Sequence, residues 1–404
     1  MKKILQKIKY LKLSDILSPI IFILVLPLAT IYRIYLRLTN KKLWLICEDG
    51  YTARDNGYHF FKYMMDKHPE YITYYVIKKQ EPDYQKIKQY DKNIIEFKSL
   101  KHWIYYMSAS ENISIHKHGN PCRSFWYVMH VVLKLYNNRV FLQHGVIKDD
   151  LPFVHYKNAR FKIFICSAKR EYEFVKKTFG YPEGVVQNTG LARFDNLHNL
   201  KINNKQILFM PTWRSWFGGT TKFDHNKEAF RNTDFFKYWS ALMNDNKLIS
   251  YIEKNNITIY FYPHQHMQKF LHTFKTNSNN IKIINNSNID IQKLLKESPL
   301  LVTDYSSVFM DFAYMNKPVL YYQFDEEEFR QKHLPIGYFD YKKDGFGKIL
   351  TTKDELVSNI INLIDNNYID ETKYTNRRKN FFEKRDQNNC LRIFLAIEKS
   401  EVKK

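Results

Sequence analysis

The chain has 404 residues, of which 44% are hydrophobic and 16% aromatic, so an intrinsically disordered polymer is excluded and two core-bearing domains are affordable in length. A formal net charge of +22 suits polyanionic partners: nucleic acid, anionic lipid or a phosphate-rich substrate. The four cysteines, Cys47, Cys122, Cys166 and Cys390, are far apart and form no C-x-x-C pair, which argues against a disulfide framework or a structural zinc and for a reducing compartment.

In chain order, residues 1–42 stand apart. Lys2, Lys3, Lys7, Lys9 and Lys12 precede an apolar run over 16–32, and Arg33, Arg37, Lys41 and Lys42 follow it. The run is at the lower limit for a bilayer-spanning helix and is interrupted by Pro19 and Pro27. No small-residue cleavage site marks it as a signal peptide. Basic residues on both flanks favour a segment dipping into the cytoplasmic leaflet, with an anionic membrane surface as partner; a single spanning helix is the competing reading.

Apolar, β-rich runs then recur at 43–47, 72–77, 94–97, 113–116, 140–143 and 161–166, with a helix over 57–67 and helical patterns between most of them. The polar stretch 196–205 lacks periodicity and reads as a linker. Beyond it the alternation restarts at 207–210, 257–261, 281–284, 300–303 and 318–322, and helices follow from 353 to the end. Alternating strands and helices imply parallel sheets with crossover connections. The expected plan is α/β: a membrane-associating segment 1–42, a Rossmann-like domain 43–196, a second one 205–370, and C-terminal helices 371–404. Two such halves would leave a cleft, and ligands of open α/β sheets lie beyond the carboxyl ends of the strands.

The polar motifs sit at those ends. Leu300 to Thr303 runs into Asp304-Tyr305-Ser306-Ser307 and then a helix pattern holding Asp311. Hydroxyls and free N–H groups there form an anion site suited to phosphate, and the carboxylates can accept from ribose hydroxyls; a plain Ser N-cap is the alternative. Gln143-His144-Gly145 ends another strand, and an exposed His144 can take a proton from an attacking hydroxyl near neutral pH, with Gly145 allowing a sharp turn or close ligand approach. Thr189-Gly190-Leu191-Ala192-Arg193-Phe194-Asp195 offers Arg193 as a phosphate clamp, against a simple Arg–Asp surface pair. Pro211-Thr212-Trp213-Arg214 offers Arg214 as a second clamp and Trp213 as either platform or core anchor. Pro263-His264-Gln265-His266 places His264 to donate to a phosphate oxygen that gains charge. Lys148-Asp149-Asp150 reads as a solvated acidic turn; Mg²⁺ is conceivable there, but no motif supports it and no metal site or required cofactor is expected. The chain lacks G-x-G-x-x-G, the P-loop, H-E-x-x-H and G-x-S-x-G, so NAD enzymes, P-loop ATPases, zinc hydrolases and serine esterases lose ground.

Taken in order, Gln143-His144-Gly145, the 189–195 motif, Pro211-Thr212-Trp213-Arg214, Pro263-His264 and Thr303-Asp304-Tyr305-Ser306-Ser307 with Asp311 resemble the CDP-glycerol glycerophosphotransferase family of teichoic-acid primases and polymerases. Ala53-Arg54-Asp55-Asn56-Gly57-Tyr58 resembles members linked to capsule or teichoic-acid gene clusters. The resemblance runs from about Trp44 to the C-terminal helices. It implies a glycosyltransferase-B-like fold and a monotopic protein on the cytoplasmic face of the membrane. It implies transfer of an alditol phosphate, glycerol phosphate foremost, from a CDP-alditol to a hydroxyl of a lipid-linked saccharide or poly(alditol phosphate), releasing CMP. By resemblance His144 is the general base and His264 the pyrophosphate ligand. Thr303, Ser306 and Ser307 become diphosphate donors, and Asp311 a ribose or cytidine contact. Many relatives carry Trp where this chain has Gln143, and large polymerases have an extra N-terminal region. Two other readings compete: a sugar-nucleotide glycosyltransferase on the same fold, and a non-catalytic polyanion-binding protein at a membrane surface. Nucleic acid is not expected, because the lysines are scattered and no RNP-like or zinc-finger pattern occurs.

Overall fold

The computed structural model describes residues 13–117, 119–217, 227–285 and 290–402, which form two compact units. The first comprises Met1–His144, Pro152–Asn196 and Asp386–Lys404; the second comprises Gly145–Leu151 and Leu197–Arg385. Lys2 to Lys12 lie outside the described residues.

The first unit is built on a parallel sheet of β1 (Leu43–Cys47), β2 (Ile72–Ile77), β3 (Ile94–Glu96), β4 (Glu111–Ser114), β5 (Arg139–Phe141), β6 (Ile163–Cys166) and β7 (Val186–Asn188) in the order β3-β2-β1-β4-β5-β6-β7. β1 is buried along its whole length, as a central parallel strand covered on both faces must be, which is why it reads as an unbroken apolar run. The order reverses between β1 and β4, so the carboxyl ends of these strands open at a switch point.

An N-terminal helix, α1 (Leu13–Leu38), continues through Pro19 and Pro27 instead of breaking at them. One stripe of it is buried: Ser18, Val25, Ala29 and Leu36, spaced at helical period. This stripe packs on α3 (Leu100–Ser108), where Ser108 Oγ donates to Ala29 O at 3.0 Å. Between them in sequence, α2 (Asn56–Lys67) is capped at its start by the Asp55 carboxylate. All four cysteines are buried free thiols.

The second unit carries β8 (Gln206–Met210), β9 (Thr258–Phe261), β10 (Ile281–Ile283), β11 (Leu300–Thr303), β12 (Val319–Tyr322) and β13 (Ile349–Leu350), parallel in the order β10-β9-β8-β11-β12-β13. The order reverses between β8 and β11. Packed around Trp239, Phe261, Leu300 and Val302 is a core closed by α5 (Asp234–Met243), α6 (Asn246–Lys254) and α10 (Lys353–Asp365). The helices α4 (Lys169–Thr178) of the first unit and α7 (Ile291–Glu297), α8 (Phe309–Tyr314), α9 (Glu326–Lys332) and α11 (Thr372–Phe381) of the second complete the main elements.

The C-terminal helices do not form one block. Instead, α11 belongs to the second unit while α12 (Asn389–Val402) belongs to the first. The 189–195 motif explains the return of α12. Asp195 accepts from the first free amides of α12, Asn389 N and Cys390 N, each at 2.8 Å. Gly190 sits at φ +92°, and a Cβ there would lie 1.7 Å from Asn389 Oδ1, so only glycine admits the helix start. Arg392 then donates to Thr189 O at 2.6 Å, and Phe394 stacks on His68 at 3.7 Å. The approach that Gly190 permits is that of α12.

The loops beyond β8, β11 and β12 are tied by one cation. Arg214, fully buried, donates to Asp325 through Nε and Nη2 at 2.8 and 2.9 Å, and to Thr212 O at 2.8 Å. Its Nη1 lies 2.9 Å from Asp304 Oδ2, and Phe235, Tyr305 and Phe329 rings surround the guanidinium at 5.1 Å. Asp304 Oδ1 accepts from Thr212 N and Tyr305 N at 2.7 and 2.6 Å.

Two stability outcomes follow from these ties. Asp195→Ala should lower unfolding stability by about 1–2 kcal/mol, with faster amide exchange at the start of α12. Asp325→Ala, which strands a buried guanidinium, should lower it by about 3–5 kcal/mol. Urea midpoints at constant m-value check both.

Candidate active site

The first unit gathers its polar groups beyond the carboxyl ends of β1, β4 and β5. Glu48 follows β1 directly and is fully buried. It accepts from Asp55 N at 2.8 Å, Tyr58 N at 2.9 Å, Arg54 N at 3.2 Å and Thr52 Oγ1 at 2.9 Å, wrapping the 48–58 loop around one carboxylate. A Cβ on Gly57 would come within 2.8 Å of Glu48 Cγ, which accounts for that glycine. Burial and the neighbouring Asp55 charge push the Glu48 carboxyl up to about 7.

This loop delivers Asp55 and Asn56. Asp55 Oδ2 bonds His144 Nδ1 in a short contact, and Asp55 Oδ1 accepts from Arg193 Nη1 at 2.9 Å. Arg193 Nη1 also donates to His144 O at 2.7 Å, and Arg193 N donates to Asn56 Oδ1 at 3.0 Å. Asn56 Nδ2 donates to Gln143 O at 2.8 Å. Three segments distant in sequence are thereby locked on one another.

Burial alone would raise the Asp55 carboxyl, but the Arg193 and His144 charges outweigh it and hold the group well below the usual carboxylate range. Desolvation by the surrounding protein lowers His144, and the Asp55 charge and hydrogen bond outweigh that to raise its pKa above the ordinary imidazole value. With Nδ1–H given to Asp55, Nε2 is the nitrogen left to accept a proton, on a side chain 60% exposed. His116, at the end of β4, has its ring 5.4 Å from that of His144, and burial followed by the His144 charge pulls it down to about 4.

The left-handed backbone at this turn falls on Gln143 (φ 63°) rather than on a glycine. Its amide nitrogen donates to Ile165 O and to Glu171 Oε1, the latter at 3.1 Å. Gly145 begins the short segment that belongs to the second unit. There, Lys148 and Asp149 are not a solvated turn: both are buried, and Asp149 pairs with Lys148 and with Arg330 at 2.6 Å.

In the second unit the switch between β8 and β11 carries the other motifs. His264 follows β9 and its Nδ1 accepts from His266 N at 3.2 Å. Trp213 lies nearly parallel to the His264 ring at 6.0 Å and close to His266 and His333. Ser306 and Ser307 are partly exposed at the turn before α8. Thr303, by contrast, is buried and donates to Met210 O at 2.6 Å, so its hydroxyl is spent on the sheet. Neither Arg214 nor Asp304 presents a side-chain atom to solvent, each being 0% exposed, and they act as struts beneath the turn. Asp311 is buried inside α8.

Within the first unit, then, the fold brings His144 and Arg193 together. Within the second it sets Arg214 and Asp304 under Ser306 and Ser307. Sequence reading missed Asp55 as the partner of His144, Asn56 as a bracket, and His116. The Ala53–Tyr58 motif was the available signal for the first two. Among the described residues no cluster of three or more His, Cys, Asp or Glu is arranged to hold a metal ion.

The wall teichoic acid polymerase TagF superposes with a TM-score of 0.64 at 16% identity, covering 93% of this chain and 98% of that one. The Staphylococcus aureus MnaA–UDP structure follows at 0.55 and 13%, covering 90% and 97%. These likenesses show a shared fold of two parallel-sheet α/β domains. In sequence, the minor teichoic acid biosynthesis protein GgaB of Bacillus subtilis (strain 168) is 34% identical over 376 residues, 91% of this chain and 41% of that protein. The teichoic acid poly(glycerol phosphate) polymerase of the same strain is 25% identical over 367 residues, 80% and 44%. The chain thus spans less than half the length of these relatives. Because the match to the family described as CDP-Glycerol:Poly(glycerophosphate) glycerophosphotransferase runs over residues 29–399, the chain belongs to that family.

Proposed function

We propose that the chain transfers glycerol phosphate from CDP-glycerol to a hydroxyl of a growing poly(glycerol phosphate) or a lipid-linked primer. The acceptor oxygen attacks the phosphorus bearing the glycerol, its proton passes to His144 Nε2, and the bond to the bridging oxygen breaks to release CMP. The observation that carries this reading is the Asp55–His144 hydrogen bond, with Arg193 fixing the other carboxylate oxygen. It leaves one imidazole nitrogen exposed and basic, which is what a general base toward an alcohol requires.

The donor is assigned to the second unit. Phosphoryl transfer needs positioned donors for charge that builds on phosphate oxygens. His264, Ser306 and Ser307 provide them, and Arg214 and Asp304 hold the loop that carries the two serines. A ribose contact for Asp311 requires α8 to expose its carboxylate, which makes it the weakest member of the set. A UDP-sugar donor is the second reading; the fold shared with a UDP-bound structure favours testing it. CDP-glycerol, CDP-ribitol and UDP-sugars compared side by side, with the nucleotide product identified, separate the two.

Membrane association belongs to the same proposal. Within the 24 residues Asp15–Leu38, an 18-residue stretch has mean hydropathy 2.1 and only 17% of it is buried. Yet the buried stripe holds α1 sideways against the first unit, on α3 and on Phe125 and Trp126, so a perpendicular span would drag α3 into hydrocarbon. A helix lying in the interface on the cytoplasmic face fits better.

His144→Ala should cut CMP release on the order of 10²–10⁴-fold while leaving the urea midpoint little changed; near-normal turnover would remove the base assignment. The base must be unprotonated, so kcat/KM should fall as pH drops through the raised His144 pKa. Asp55→Asn, which keeps the α2 cap but not the charge, should move that acid limb to lower pH and reduce the plateau. An unmoved limb would show that Asp55 does not set the basicity of His144.

A further inference from the structure

We propose that the first unit carries a seat for the phosphate headgroup of an anionic phospholipid, in a pocket at the C-terminal end of α1. The inference rests on the membrane reading above and deepens it. The pocket, of about 420 Å³, is lined by Arg33, Arg37, Lys41 and Lys42 from the end of α1 and beyond, and by Ser110 and Asn138 just before β4 and β5. A cavity of this size admits a glycerophosphate headgroup.

The charges are available. Lys42 is paired with Glu398 at 2.8 Å and Glu111 with Lys162, so among the described residues the cations of Arg33, Arg37 and Lys41 are left for a ligand. The helix end does not oppose an anion strongly, because its last carbonyls are already taken: Thr39 N, Asn40 N and Lys41 N donate to Tyr35, Arg37 and Leu36 O at 3.0, 3.1 and 2.8 Å.

What lies beside the pocket points to lipid rather than to free phosphate. On α1, Ile20, Ile23, Leu24, Ile31 and Leu38 are exposed by 54 to 82%. A second apolar stretch stands out as well: Val128, Val132, Leu133 and Leu135 are exposed by 43 to 58% around the π-helical turn Val128–Val132. Phe22 of α1 packs on Phe125 and Tyr136, at 5.2 and 6.2 Å, the residues that bracket this stretch. Tyr136 itself lines the pocket. An apolar surface of two elements that share packing and end in a basic cavity matches the border between acyl chains and headgroups.

The test is co-flotation of the full chain with phosphatidylcholine vesicles, with and without phosphatidylglycerol. Arg37→Gln with Lys41→Gln should weaken binding to phosphatidylglycerol vesicles roughly 25-fold, about fivefold per cation, at unchanged Tm. The exposed pair Lys88→Gln with Lys92→Gln removes the same charge elsewhere and should have little effect. Equal weakening by both pairs means diffuse attraction and overturns the seat. So does displacement by inorganic phosphate beyond that caused by chloride of equal ionic strength, which would mark a free-anion site. Leu24→Asp abolishing flotation while the Arg37/Lys41 pair leaves it intact keeps the interfacial helix and removes the seat. Wild-type protein that floats with neither vesicle removes both readings.

Discussion

A buried carboxylate kept ionised between a guanidinium and an imidazole is the constraint on which the first unit's site depends. Asp55 bonds His144 on one oxygen and Arg193 on the other, and caps α2 with the oxygen that meets Arg193. Taking such a group out of water is costly unless every lone pair finds a partner. Here the partners come from segments 89 and 138 residues away. The consequence is a histidine whose tautomer is set before any substrate arrives. Glu48 behind it does comparable work for the loop, but its partners are backbone amides and the Thr52 hydroxyl, and burial beside the Asp55 charge pushes its carboxyl up to about 7.

The second unit uses the same device with the signs exchanged. A buried guanidinium, Arg214, is held between Asp304 and Asp325 and sandwiched by aromatic rings. It joins the loops after β8, β11 and β12, and Thr303 ties β11 back to β8. What stays exposed above this base is Ser306, Ser307 and the His264–Trp213 pair. In both units the strongest charges are spent beneath the surface on geometry, and the groups that remain for chemistry are hydroxyls and imidazoles. That division suits phosphoryl transfer, where positioning carries most of the catalysis.

Much of the fold was legible because central parallel strands are buried on both faces: runs such as Leu43–Cys47 and Leu300–Thr303 announce themselves. The edge strands Val186–Asn188 and Ile349–Leu350 were not, being too short to show a period. Position at a strand end singled out His144 and His264, and the fold leaves both partly or wholly exposed there. It misread Arg214 and Thr303, because charge and hydroxyl are visible in sequence while burial is not. Asp195 looked like half of a surface pair and is the cap of a helix almost two hundred residues later. Asp55 was hidden for the same reason: a partner across 89 residues leaves no local pattern. Pairings of this kind are set by topology, which brings the ends of β1 and β5 to one rim.

Topology also bears on the membrane contact proposed for α1. Apolar length and flanking charge alone leave spanning and interfacial placements open. Packing separates them. Ser18, Val25, Ala29 and Leu36 are buried against the unit over nearly the whole helix, and Ser108 donates to the Ala29 carbonyl at its middle. A helix fastened sideways in this manner shares the depth of its domain. Were it upright in the bilayer, Lys101 and the polar rim of α3 would sit in hydrocarbon beside it. In the flat placement proposed above, its exposed stripe would reach the acyl border while Arg33, Arg37 and Lys41 would meet the headgroups. On that proposal, the packing that buries one face of α1 would also orient the domain it is attached to, and with it the rim that bears His144, relative to the lipid surface.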